Sequence, residues 1–179
     1  IQDCVDLIRA RGNPDFAIGE IPFENDKTFE LLNAGETIGV FQLESGGMIN
    51  LCRQFGVDQI DDIIALIALY RPGPMDLIPD YIARKKGKTK VKYEHPLLEE
   101  ISSDTYGIMI YQEQVMKAAN LLAGYSMGDA DNLRRAMGKK KVEIMVEERK
   151  KFVAGALEVN KIPEKLANVI FDLLEKFAG

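Results

Sequence analysis

The sequence predicts a mainly α protein, a multi-helix domain with two or three short β-strands. Three observations carry that reading. Apolar residues recur three and four apart along most of the chain, glycines and prolines fall where those stretches stop, and only a few short segments alternate as strands do. With 179 residues, 46% of them apolar and 28% charged, the chain can bury one good core or two small ones.

Taken in order, residues 1–11 predict a helix carrying Val5, Leu7 and Ile8 and ended by Gly12. An Asn13-Pro14-Asp15 turn and an irregular stretch to Pro22 follow. Asn25 or Asp26 caps a short helix through Ala34, with Phe29, Leu31 and Leu32 inward and Gly35 as its stop. Thr37–Leu43, TIGVFQL, reads as a strand or a buried extended segment. Ser45 caps a helix bearing Met48, Leu51, Cys52 and Phe55, and Gly56 stops it. Asp58–Tyr70 is apolar on nearly every face after Asp62, which predicts a core helix. Arg71-Pro72-Gly73-Pro74 then imposes a stiff turn, where two helical lobes could meet.

Met75–Lys86 predicts another helix. Lys88, Lys90 and Lys92 alternate with Thr89, Val91 and Tyr93, so a strand would place the three lysines on one face. His95 precedes a short helix, Pro96–Ile101, and suits a cap or a surface position. Tyr106–Tyr111 reads as a strand, and Gln112 or Glu113 opens a helix to Leu122 closed by Gly124. Val142–Val159 is a helix with Ile144, Met145, Phe152, Val153, Ala156 and Leu157 on its apolar side. Pro163 starts the last helix, Glu164–Phe177, which turns Leu166, Val169, Ile170, Leu173 and Leu174 inward.

Ser126–Lys141 stands out chemically. Ser126 is an N-cap with Asp129 three residues on, and Leu133 and Met137 share an apolar face. Arg134 and Arg135 point to the exposed side, Gly138 stops the helix, and Lys139, Lys140 and Lys141 follow. Five cations thus fall within eight residues with no acid between them. Guanidinium forks and lysine point charges match the oxygens of a triphosphate or a nucleic-acid backbone. A solvated charge run at a helix C-terminus, favoured by the dipole, is the plainer reading of the same residues.

Charge is unevenly spread. Residues 1–70 carry 4 basic and 12 acidic side chains, net −8, whereas residues 71–151 carry 16 and 12, net +4. A basic middle segment can bind a polyanion locally within an acidic chain. No apolar run is long enough to span a bilayer, and no signal-peptide pattern opens the chain, which points to the cytoplasm. Cys4 and Cys52 each lie in an apolar helical pattern and read as buried free thiols.

The familiar catalytic constellations are missing. There is no GxxxxGK[ST], GxGxxG, HExxH or CxxC, and His95 is the single histidine. Asp61-Asp62 and Asp129/Asp131 are better explained by stabilisation at helix N-termini than by Mg²⁺. The residues alone therefore offer anion binding without a catalytic pair. They suit a substrate-positioning domain, or else a helical interaction domain whose basic segment binds nucleic acid or an acidic partner.

Five strings together resemble one family: GETIGVFQLES at Gly35–Ser45, IALYRPGP at Ile67–Pro74, YGIMIYQEQVM at Tyr106–Met116, LRRAMGKKK at Leu133–Lys141 and FDLLEKFAG at Phe171–Gly179. They are similar to the fingers domain of the bacterial replicative DNA polymerase III alpha subunit, a C-family polymerase. The resemblance covers residues 27–179, with residues 1–26 as a lead-in from the palm. It implies a piece of a DNA-directed DNA polymerase, inactive alone, whose Mg²⁺-binding aspartates belong to the palm before Ile1. A nucleotide-proximal stretch would follow Gly179, and Ile1 itself suggests an excised piece. The implied ligands are an incoming deoxynucleoside triphosphate (dNTP) and primer-template DNA, with the rest of the polymerase chain and the replisome subunits as partners. Triphosphate contact carries over to Arg134 and Arg135, with Lys139 and Lys140 as lesser candidates. Arg71, Tyr111, Gln112, Lys141, Lys85 and Lys86 are further positions for nucleotide or DNA contact.

Overall fold

A computed structural model describes residues 1–139 and 142–178. Among them the chain forms ten α-helices and three 3-10 turns, and no strand. It divides into two compact units, residues 1–64 and 65–179.

The first unit holds α1 (Gln2–Ala10), α2 (Asp26–Ala34), α3 (Gly46–Phe55) and the start of α4 (Ile60–Leu69). Caps set the boundaries. The Asn25 side chain accepts from Thr28 N–H at 3.0 Å, the Ser45 hydroxyl accepts from Met48 N–H at 3.3 Å, and Gly35 and Gly56 end their helices with left-handed backbone. Helices α2 and α3 pack together. Asn33 ties them, donating to the Val57 carbonyl at 2.8 Å and accepting from Val57 N–H at 2.7 Å. Arg53 Nε donates to the Ala34 carbonyl at 3.0 Å, satisfying an end of α2 that lacks helical partners. At Gly35 a side chain would collide with that Arg53 guanidinium and with Ile49, so only glycine fits.

The second unit continues α4 and adds α5 (Ile78–Lys85), α6 (Pro96–Ser102), α7 (Gln112–Ala123), α8 (Met127–Gly138), α9 (Val142–Asn160) and α10 (Glu164–Ala178). Helix α7 is its hub and packs on α6, α8, α9 and α10. Its inward face is small: Ala118, Ala119 and Ala123 let neighbours approach, while Val115 and Leu122 fill the gaps. Leu133, Met137, Phe152, Ile170, Phe171 and Leu174 complete the core. Phe171 stacks edge-on against Phe152, with ring centroids 5.5 Å apart. Asn160 donates to the Leu121 and Leu122 carbonyls at 2.8 and 2.9 Å, closing the C-terminal end of α7.

The expected strands are not there. Residues 37–43 form successive turns, with Val40 N–H on the Thr37 carbonyl and Leu43 N–H on the Val40 carbonyl, both at 3.0 Å. Buried Thr37 locks them by donating to the Leu43 carbonyl at 2.6 Å, and Gly39 and Gln42 take positive φ of 81° and 64°. Such backbone cannot join a ladder. Residues 90–93 are irregular: Lys90 and Lys92 face solvent while Val91 and Tyr93 are half-buried, so strand-like alternation occurs without a partner strand. In Tyr106–Tyr111 the N–H groups of Ile110 and Tyr111 donate to Gln114 Oε1 at 2.8 and 3.0 Å. A side chain has taken the bonds a neighbouring strand would need.

Burial corrects four further expectations. Helix α4 is not buried all round: Ala65, Leu66 and Leu69 are covered but Ile64 and Ile67 face outward. Ile144 and Leu157 of α9, and Val169 of α10, are likewise exposed. In α2, Leu31, expected inward beside Phe29 and Leu32, is exposed. Cys52 is buried with its thiol pushed up by desolvation, but Cys4 is exposed. The helix expected from Met75 begins as a 3-10 turn, Pro74–Leu77, after Gly73 adopts φ 97°.

Candidate functional site

The cationic segment lies where α8 ends. Ser126 caps α8, accepting from Asp129 N–H at 3.1 Å, and Leu133 and Met137 press into the core. With those residues inward, the next positions along the helix turn Arg134 toward the start of α7 and Arg135 toward water.

The two guanidiniums share one carboxylate. Arg134 Nε and Nη2 donate to Asp131 Oδ1 at 3.0 and 2.7 Å, and Arg135 Nη2 meets Asp131 Oδ2 at 2.8 Å. Arg134 also donates through Nη1 to Gln112 Oε1 at 2.9 Å, joining α8 to the first residue of α7. The Arg134 hydrogen bond, above all, holds the Asp131 carboxyl below the usual carboxylate range. Three charged groups thus net one positive charge, on a scaffold that fixes both arginine heads.

The arginines differ in access. The Arg134 side chain is 22% exposed and that of Arg135 63%, so only Arg135 fits the expectation that both face solvent. Lys139, the C-cap of α8, is exposed. Lys140 and Lys141 lie outside the described residues. Gln112 joins the site through Arg134, and Tyr111 stands next to it, half-buried at the N-cap of α7. The other candidates stand on other elements. Arg71 is exposed in the turn after α4, and Lys85 and Lys86 end α5, where neighbouring Arg84 donates to the Tyr106 carbonyl at 3.0 Å.

The sequence reading gave Asp131 only a helix N-terminal role and Gln114 none. Asp131 precedes Arg134 and Arg135 by three and four residues, the spacing of neighbours on a helix, and that spacing was the available signal. Buried Gln114 sets the start of α7 through Ile110 and Tyr111 N–H, and donates to Thr105 Oγ1 at 2.8 Å. A Gln three residues after an N-cap was its signal. At the other end of α8, Asp129 is 3.6 Å from Lys151, whose ammonium sits 4.5 Å over the Tyr125 ring.

Among the described residues no three His, Cys, Asp or Glu side chains gather as metal ligands. Asp129 and Asp131 face cations instead. Among the same residues no helix is long and apolar enough to cross a membrane.

Comparison with known proteins supplies the context. The profile of the bacterial DNA polymerase III alpha subunit finger domain matches residues 1–160. The DNA polymerase III subunit alpha of Chlamydia pneumoniae is 49% identical over 179 residues, which is 100% of this chain and 14% of that protein. The subunit of Thermus aquaticus is 55% identical over 164 residues, 89% of this chain and 13% of that protein. That of Bacillus subtilis is 45% identical over 179 residues, 100% of this chain and 16% of that protein. The chain therefore spans about one-seventh of the length of these relatives.

Proposed function

Because this chain belongs to the finger-domain family of bacterial DNA polymerase III alpha subunits, we propose that it serves DNA replication by gripping the triphosphate of an incoming dNTP beside the nascent base pair. The observation carrying this is the pair of adjacent guanidiniums, Arg134 and Arg135, fixed on one carboxylate at the helix end that also bears Lys139. Preorganised donors of this kind can meet charge on phosphate oxygens without reorganising at the moment of reaction. Lys140 adjoins them in sequence.

In this reading nucleotidyl transfer belongs to the whole cytoplasmic polymerase, with Mg²⁺ held by palm residues outside this chain. Residues 1–26 lead in from the palm, and residues 27–179 are the domain proper. The chain alone extends no primer. Its function is positional: it binds and orients the triphosphate and, with primer-template DNA and the remaining polymerase and replisome subunits, brings the nucleotide to the reacting end.

Titrating the isotopically labelled chain with a dNTP, with and without Mg²⁺, tests the assignment. Saturable shifts at Arg134, Arg135 and Lys139, abolished together in R134A/R135A, support it. Shifts produced by RNA or an acidic peptide but not by the triphosphate would favour an interaction domain instead. Primer extension by the chain alone would contradict its positional role.

A further inference from the structure

We propose that the two adjacent arginines divide the labour: Arg135 is the arginine that contacts the triphosphate, and Arg134 is a positioning residue that clamps α8 to the start of α7. This rests on the triphosphate reading above and refines it.

The hydrogen-bond inventory separates them. A guanidinium has five N–H donors. Arg134 commits three, two to Asp131 and one to Gln112, and both of its long edges are engaged. A phosphate could take Arg134 bidentately only by displacing the carboxylate or the amide, each of which already meets it at 2.9 Å or closer. Among the described residues Arg135 commits only Nη2, through a 2.8 Å ion pair on Oδ2, which occupies one of that nitrogen's two hydrogens and leaves one of the fork's two-donor edges open. Its side chain is nearly three times as exposed, 63% against 22%. A phosphate approaching from solvent therefore reaches Arg135 first and can bind it bidentately.

Asp131 serves both roles. Its Oδ1 closes the α8 side of the clamp, and its Oδ2 holds Arg135 from one end while leaving the rest of the fork open. Gln112 is the other jaw. It is the first residue of α7, directly after Tyr111, whose N–H is already fixed by Gln114 at 3.0 Å. The clamp thus holds the phosphate-facing helix in register with a rigid turn.

The test is steady-state primer extension by the full-length polymerase polypeptide carrying this domain, with KM for dNTP and kcat measured separately. R135A should raise KM for dNTP tenfold or more, the size expected for one charged hydrogen-bond partner lost. R134A should lower kcat with a smaller change in KM. R134K keeps the charge but not the fork, so it should resemble R134A. The effects of R134A and Q112A should be strongly non-additive, because each removes the same contact. Thermal melting of each variant separates these effects from misfolding, and R134K remains informative where R134A does not fold. Equal KM effects from R134A and R135A, with R134K rescuing and Q112A additive, would overturn the division while leaving triphosphate binding standing. If no arginine variant changed KM for dNTP, triphosphate binding itself would fall.

Discussion

Tyr125 shows how one residue sets a pH limit. It is 3% exposed, its hydroxyl donates to Glu148 Oε2 at 3.0 Å, and burial followed by that bond pushes its pKa well above the ordinary tyrosine value. A raised folded-state pKa keeps the proton on in the native state, so this stabilisation is complete below about pH 10 and is lost as pH rises beyond it. Melting temperature should accordingly fall above about pH 10, and Y125F should lose about 1 kcal/mol near neutrality while removing that alkaline component. Asp131 has the opposite sign. Its depressed pKa gives stabilisation that is present above the usual carboxylate range and lost as pH falls below about 4. Gly155 is a steric counterpart. A methyl there would press into the Ala123 carbonyl oxygen, so G155A should cost about 1–3 kcal/mol in denaturant titrations despite the better helix propensity of alanine. Ser126, Asn25 and His95 were legible as caps because a cap depends on its own side chain and the next turn. Gly155 was not, because only the approach of α7 gives it meaning.

At the scale of elements, α7 depends on a preceding segment that is neither helix nor strand. Ile108, Met109 and Ile110 are buried in succession, and Gln114 accepts the N–H groups of Ile110 and Tyr111 from inside the helix. Replacing Gln114 by Leu should leave those donors unsatisfied and cost about 1–3 kcal/mol. Amide exchange at Ile110 and Tyr111 should accelerate more than exchange in α10. Most helix positions were legible, since caps and stops are local, but the Pro74–Leu77 3-10 turn before α5 was not. The strand expectations failed because alternation and β-branched residues describe a half-buried extended chain, whereas a strand requires a partner. In the 37–43 segment and before α7, side chains take the place of one.

On the whole-molecule scale, charge follows the division into units. All 12 acids and 4 bases of residues 1–70 fall within residues 1–64, so the first unit carries net −8 and the remainder net +3. Phosphate should therefore be repelled by the first unit and attracted by the second. A short DNA duplex added at low salt should perturb amides beyond residue 64 and leave residues 1–64 in place. Raising salt from about 50 to 200 mM should largely abolish the effect, because counterion release dominates such binding. Uniform shifts across both units, or salt-independent ones, would count against this polarity.

The sequence by itself determined most helix boundaries, the predominance of helix, the family and the cation-rich end of α8, but not that the expected strands are missing among the described residues. Each depends on neighbours in the chain, on short strings or on composition. Tertiary structure alone decided what those cations can do. Gln112 and Arg134 are 22 positions apart, and only the packing of α7 on α8 brings them within 2.9 Å. Asp131 was visible in the sequence but acquired its meaning once helical geometry placed both arginines on it. Likewise, which apolar faces were covered and which extended segments found partners depended on contacts between distant residues, which local patterning does not encode.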